Sequence, residues 1–101
     1  MTKGYAAVHA CGAYVLLEDR CKRIEIVGDI LARKAEVHEI ELLVIPKDEL
    51  DFRNYIAREF EVLASTEMEI TFLHRGEMVA VTITSARAWA TAYRAMAEDA
   101  A

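Results

Sequence analysis

Basic side chains are in the minority in this sequence of 101 residues, with 12 Lys and Arg against 17 Asp and Glu and a formal net charge of −5. A domain that grips nucleic acid along its length carries a basic excess, so the balance argues against extensive nucleic-acid binding by this chain alone. Proline occurs once and glycine four times, which fits neither a disordered chain nor a loop-rich scaffold. The two cysteines, Cys11 and Cys21, have no Cys-x-x-Cys spacing and no His at zinc-finger distance, and are expected to be buried, reduced thiols. No apolar run approaches the roughly 20 residues of a membrane helix. His9, Gly12 and the charged Glu18-Asp19-Arg20 break up anything like a signal-peptide core, and the expectation is a cytoplasmic protein without membrane contact.

What is present suffices for one core. Apolar residues make up 54% of the chain, and its length fits a single domain over residues 1–101. The acid is uneven: residues 1–35 hold six basic and four acidic groups, residues 36–69 three and ten, and residues 70–101 three of each.

Thr2 is placed to cap a helix reaching about Asp19, with Tyr5, Val8, Ala13, Val15 and Leu16 as its apolar stripe. Arg23 to Val27 alternates with period two and stops at the Gly28-Asp29 turn. A second strand is expected from about Val37 to Ile45; Leu42-Leu43-Val44-Ile45 is apolar on both faces, as in a covered central strand, and Pro46 ends it. Asp48 offers the N-cap of a helix to about Ala64, with Phe52, Ile56, Phe60 and Leu63 turned inward. Its charges Arg53, Arg58, Glu59 and Glu61 are expected on the solvated face. Met68 to His74 and Glu77 to Thr84 flank Arg75-Gly76 as a hairpin, and Ser85 caps a last helix whose inner stripe is Trp89, Tyr93 and Met96; the tail from Glu98 is expected to fray. The fold class is α+β: a mixed sheet of about four strands covered by about three helices.

The chemical content lies in Glu39-Ile40-Glu41. On a strand the two carboxylates share one face, roughly 7 Å apart, and such a pair can hold Mg²⁺ or Mn²⁺ together with substrate phosphates. His38 adjoins them, while His9 and His74 have no partner at ligand spacing and are expected to be structural or surface groups.

The stretch from Cys21-Lys22-Arg23-Ile24-Glu25-Ile26-Val27-Gly28 through Glu36-Val37-His38-Glu39-Ile40-Glu41-Leu42-Leu43-Val44-Ile45-Pro46-Lys47 resembles the palm of the family X (polymerase β-like) DNA polymerases of the nucleotidyltransferase superfamily. The motif of the bacterial and viral branch reads approximately C-x-R-I-E-I-x-G-S-x-R-R-G-K-x-x-V-x-D-I-E-L-x-x-I-P and matches residues 21–47 without a gap. Val79 to Thr84 and the following Ala88-Trp89 resemble, more loosely, the strand of the third metal ligand. The family's fingers, lyase and thumb domains have no counterpart, so the resemblance implies a palm alone.

The departures fall on the positions that would carry catalysis. Asp29 stands where the motif has the phosphate-contacting Ser, and its charge repels a triphosphate. Arg-Arg-Gly becomes Leu31-Ala32-Arg33, leaving Gly28, Asp29, Arg33 and Lys34 as the candidate nucleotide-binding set. Glu39 replaces the first metal Asp, Glu41 matches the second ligand, and Thr82 stands at the third. What the resemblance implies is a degenerate domain without efficient nucleotidyl transfer, binding a nucleotide or a protein. One alternative is an active minimal Mg²⁺- or Mn²⁺-dependent enzyme using Asp29, Glu39 and Glu41; another is an assembly module that forms a homodimer or docks a partner protein through an edge strand or helix.

Overall fold

The computed structural model describes residues 1–98. Its elements are α1 (Lys3–Leu17), a 3₁₀ turn (Glu18–Arg20), β1 (Cys21–Val27), β2 (Ile40–Pro46), α2 (Glu49–Glu59), β3 (Glu61–Ser65), β4 (Glu69–His74), β5 (Glu77–Ile83) and α3 (Trp89–Glu98). The architecture is α+β, with one mixed five-stranded sheet in the order β1-β2-β5-β4-β3. Only β2 and β5 pair in parallel, Ile40 opposite Val79 through Val44 opposite Ile83; the other neighbours are antiparallel.

Two of the three N-caps read from the sequence, Thr2 and Asp48, stand directly before their helices. The Tyr5 N–H donates to Thr2 Oγ1 at 3.3 Å and the Asp51 N–H to Asp48 Oδ1 at 2.9 Å. The hairpin turn falls at Arg75 and Gly76, whose φ of 51° and 83° suit a two-residue loop between twisted strands. Ser85 Oγ accepts from the Ala88 N–H at 3.2 Å, one residue before α3 begins. Of the tail expected to fray, Glu98 belongs to α3, and residues 99–101 lie outside the described residues.

β2 is an interior strand covered on both faces, as its apolar run predicts, while β5 holds the middle of the sheet. Ile40, Leu42 and Val44 face a core shared with Ile24, Ile70, Phe72, Val79, Val81 and the helices α1 and α2. Leu43 and Ile45 face the other way, joining Val27 under Trp89, with Tyr93 and Met96 of α3 packed alongside. α3 thus covers the β1–β2 side of that face, and the Arg23 guanidinium lies 4.4 Å over the Trp89 ring at its edge.

Five expectations are corrected. The middle helix ends at Glu59, not near Ala64, because Phe60 turns extended (φ −133°, ψ 160°) and lays its ring on Phe72 with 4.6 Å between centroids. The residues beyond it form β3, a fifth strand, so Leu63 is half exposed rather than inward, and Glu61 belongs to a strand. Arg53 is more than solvated surface, because it reaches from α2 to Glu49, to Ser65 Oγ and to the Glu67 carbonyl, tying helix to strand. In α1 the inward face is Ala6, His9, Ala10, Ala13 and Leu17, so of the expected stripe only Ala13 is buried, while Tyr5, Val8, Val15 and Leu16 point out. Of the cysteines, Cys21 is buried, with its thiol pushed up to about 11 by desolvation, whereas Cys11 is exposed.

His9 and His74 are neither surface groups nor isolated. Their rings meet edge to face with centroids 5.7 Å apart, both residues are buried, and among the described residues neither Nδ1 has a hydrogen-bond partner. His74 reaches this position because Gly12 on α1 has no Cβ; one there would stand 2.8 Å from the imidazole Cε1. Burial holds the His74 pKa below its ordinary 6.5, with smaller contributions from His9 and Arg75. A group with a depressed basic pKa takes up its proton in the unfolded chain first, so stability is intact above pH 6.5 and falls as the pH drops below it. We expect His74→Leu to flatten the dependence of the melting temperature on pH between 7 and 5. It should also raise stability at pH 7 by about 1 kcal/mol, since an unpartnered buried nitrogen is replaced by hydrocarbon. Thermal melts of the two proteins across that range check both outcomes.

Candidate functional site

The site begins where β1 ends. Gly28 takes a φ of 73°, and the next residues form a single helical turn in which the Ala32 N–H donates to Gly28 O at 3.0 Å. The turn closes with two further bonds, Arg33 N–H to Ile30 O at 3.1 Å and Lys34 N–H to Asp29 O at 3.1 Å. That is the pattern of a Schellman termination, which requires a left-handed residue at the position Arg33 holds. Arg33 has φ 59°. It stands where the polymerase-like motif has glycine, the residue that adopts this conformation without cost. Left-handed backbone costs a side-chain-bearing residue about 1–2 kcal/mol, partly offset by the greater entropy glycine loses on folding. Arg33→Gly is therefore expected to stabilise the chain by about 0.5–1 kcal/mol, measured by denaturant unfolding.

Asp29 is committed to the loop itself. Its Oδ2 accepts from the His38 N–H at 2.8 Å, and its Oδ1 lies 3.5 Å from Lys34 Nζ, so both oxygens are engaged and the two legs of the loop are joined. The His38 amide, with Lys34 contributing less, holds the Asp29 carboxyl below its ordinary pKa. The return leg is fastened to the chain start, where the Val37 N–H donates to Met1 O at 2.9 Å and Thr2 bridges to Glu36.

The paired carboxylates are placed unequally. β2 begins at Ile40, so Glu39 precedes the strand, exposed at the end of the loop, and the expected start near Val37 is three residues early. The cause is the Asp29–His38 bond and the Met1–Val37 pairing, which take up backbone groups a longer strand would use. Glu41 is half buried on β2, opposite Val27 on β1 and Ala80 on β5. Its side chain lies against Gly28, filling the space a Cβ would occupy there. Thr82 pairs with Leu43 two residues further along β5, on the same face of the sheet as Glu41. Glu41, Ala80 and Thr82, with Thr71 on β4, share that face of the sheet and are all half-buried.

Among the described residues no three His, Cys, Asp or Glu side chains are brought together as a metal-binding set. Asp29, Glu39 and Glu41 are thus not gathered into one such set. Of the candidate phosphate-binding cations, Lys34 is turned to Asp29 while Arg33 is exposed.

The buried His9–His74 pair was legible without being read. His74 continues the inward alternation of Ile70 and Phe72, and His9 falls in step with Ala6, Ala10 and Ala13. No protein-family model matches the chain, and no curated protein is significantly similar to it.

Proposed function

We propose that the chain is a degenerate nucleotidyltransferase-like palm that binds a nucleotide or a protein without transferring nucleotides efficiently. The observation that carries the reading is the double use of Asp29: it occupies the motif position of the phosphate-contacting Ser, and both its oxygens serve its own loop. A carboxylate here repels the phosphates that the turn's N–H groups would otherwise attract. Glu41 keeps a place on the interior strand β2 beside Gly28, and Thr82 offers a neutral hydroxyl on the neighbouring parallel strand where a third carboxylate would stand. The left-handed conformation at Arg33 supports the descent of this loop from one with glycine there. Losing several ligands and phosphate donors together removes several kcal/mol of transition-state stabilisation each.

Primer extension and terminal nucleotide addition with Mg²⁺ or Mn²⁺ and each nucleoside triphosphate test the proposal. The expected rate is indistinguishable from a Glu41→Ala control. Transfer that Glu41→Ala abolishes would instead establish the active minimal enzyme.

A further inference from the structure

α1 is built inside out. The face it turns to the sheet is mostly alanine, while larger apolar side chains lie outside it: Val8 is 70% exposed, Val15 68% and Leu16 44%, and Tyr5, 47% exposed, leans across to β5, where its hydroxyl donates to Glu77 at 2.7 Å. These residues recur at three- and four-residue steps, with Cys11 and Gly12 at the midpoint, and form one stripe along a helix about 22 Å long. A monomer gains nothing from leaving this stripe in water.

The charges at its ends run against the helix's own dipole. The first turn holds Lys3 and no acid, the last turn holds no base, and the chain continues into Glu18 and Asp19 and then Arg20, whose guanidinium is taken up by Asp51 at 2.9 Å. A helix favours the opposite arrangement, acid at the N-terminus and base at the C-terminus. None of Lys3, Glu18 and Asp19 is in an ion pair among the described residues. A second α1 laid antiparallel removes the conflict, because each Lys3 end meets the partner's acidic C-terminal end. We propose that the outer face of α1 is the contact surface of a homodimer, two copies packing α1 antiparallel about a two-fold axis near Cys11 and Gly12. Such a pairing is self-complementary, sets Val8 against the region of the partner's Val15, and brings the two Cys11 thiols near the axis. The acidic end of the stripe and the net charge of −5 disfavour an anionic membrane as the occupant.

One helix pair is a small interface, so the dimer is expected to dissociate at about tens of micromolar. Sedimentation equilibrium from about 1 to 500 μM should show monomer turning to dimer, and mild oxidation should link the dimer through Cys11 but not after Cys11→Ser. Val8→Asp with Val15→Asp should weaken association at least tenfold with unchanged circular dichroism, as exposed sites permit. Lys3→Glu should weaken the dimer while leaving the monomer no less stable, and adding Glu18→Lys and Asp19→Lys should restore it. A monomer at every concentration would overturn the proposal. So would a dimer indifferent to Val8 and Val15, charge reversals that fail to restore association, or α1-dependent partition onto phosphatidylglycerol vesicles.

Discussion

Gly28→Ala is expected to lower stability by about 2–3 kcal/mol and to dislodge Glu41 from its place on β2. Two costs add. The φ of 73° is left-handed backbone, which costs an alanine about 1–2 kcal/mol. A methyl group there also runs into the Glu41 carboxylate, which must swing away from the contacts it makes; forcing atoms into an occupied space typically adds about 1 kcal/mol or more. The two contributions separate in a double-mutant cycle. In a Glu41→Ala background the steric part disappears, so Gly28→Ala should cost only the backbone part, leaving a coupling of about 1 kcal/mol. Urea unfolding of the four proteins measures it. Equal costs in both backgrounds would mean that Glu41 does not rest on Gly28.

The second large effect is a gain. Asp29→Ser, Glu39→Asp and Thr82→Asp together convert three of the four departures at the candidate site, all but Leu31-Ala32-Arg33, to the residues of the polymerase-like motif without altering the net charge. If the frame is a palm, the triple variant should bind Mn²⁺ with a nucleoside triphosphate at least tenfold more tightly than the parent chain, equivalent to about 1.4 kcal/mol. Because the total charge is unchanged, general attraction for cations cannot produce that gain. A serine at position 29 can still accept from the His38 N–H, so the loop should persist. A folded triple variant with no gain would show that Glu41, Thr82 and the loop are not the remains of a metal site.

These expectations rest on elements the sequence exposes to different degrees. β2 was plain, because four consecutive apolar residues with a carboxylate before them and Pro46 behind demand a strand covered on both faces, and α3 and α1 supply the covers. The hairpin at Arg75-Gly76 and the caps at Thr2 and Asp48 were plain for similar local reasons. β3 was not. Phe60 and Leu63 continue the spacing of Phe52 and Ile56, no Gly or Pro interrupts them, and only the Phe60–Phe72 contact, distant in sequence, decides that the helix stops. α1 misleads for a different reason: its alanines sit close to the sheet, so size does not mark the buried face.

At the candidate site the residues were legible and their arrangement was not. Period two assumes that Glu39 lies on the strand, but β2 starts one residue later because the loop's hydrogen bonds compete for the backbone before Ile40. That Asp29 would spend both oxygens on Lys34 and the His38 amide follows from a loop closure no spacing rule contains.

The most direct measurement is a Mn²⁺ titration of the unaltered chain with a nucleoside triphosphate, following the free-ion electron paramagnetic resonance signal and subtracting the nucleotide's own binding. We expect no stoichiometric site for the metal on the protein and no change on replacing Glu41 by alanine. A one- or two-ion site that Glu41→Ala removes would contradict the reading of this loop and strand as a frame without its metal centre.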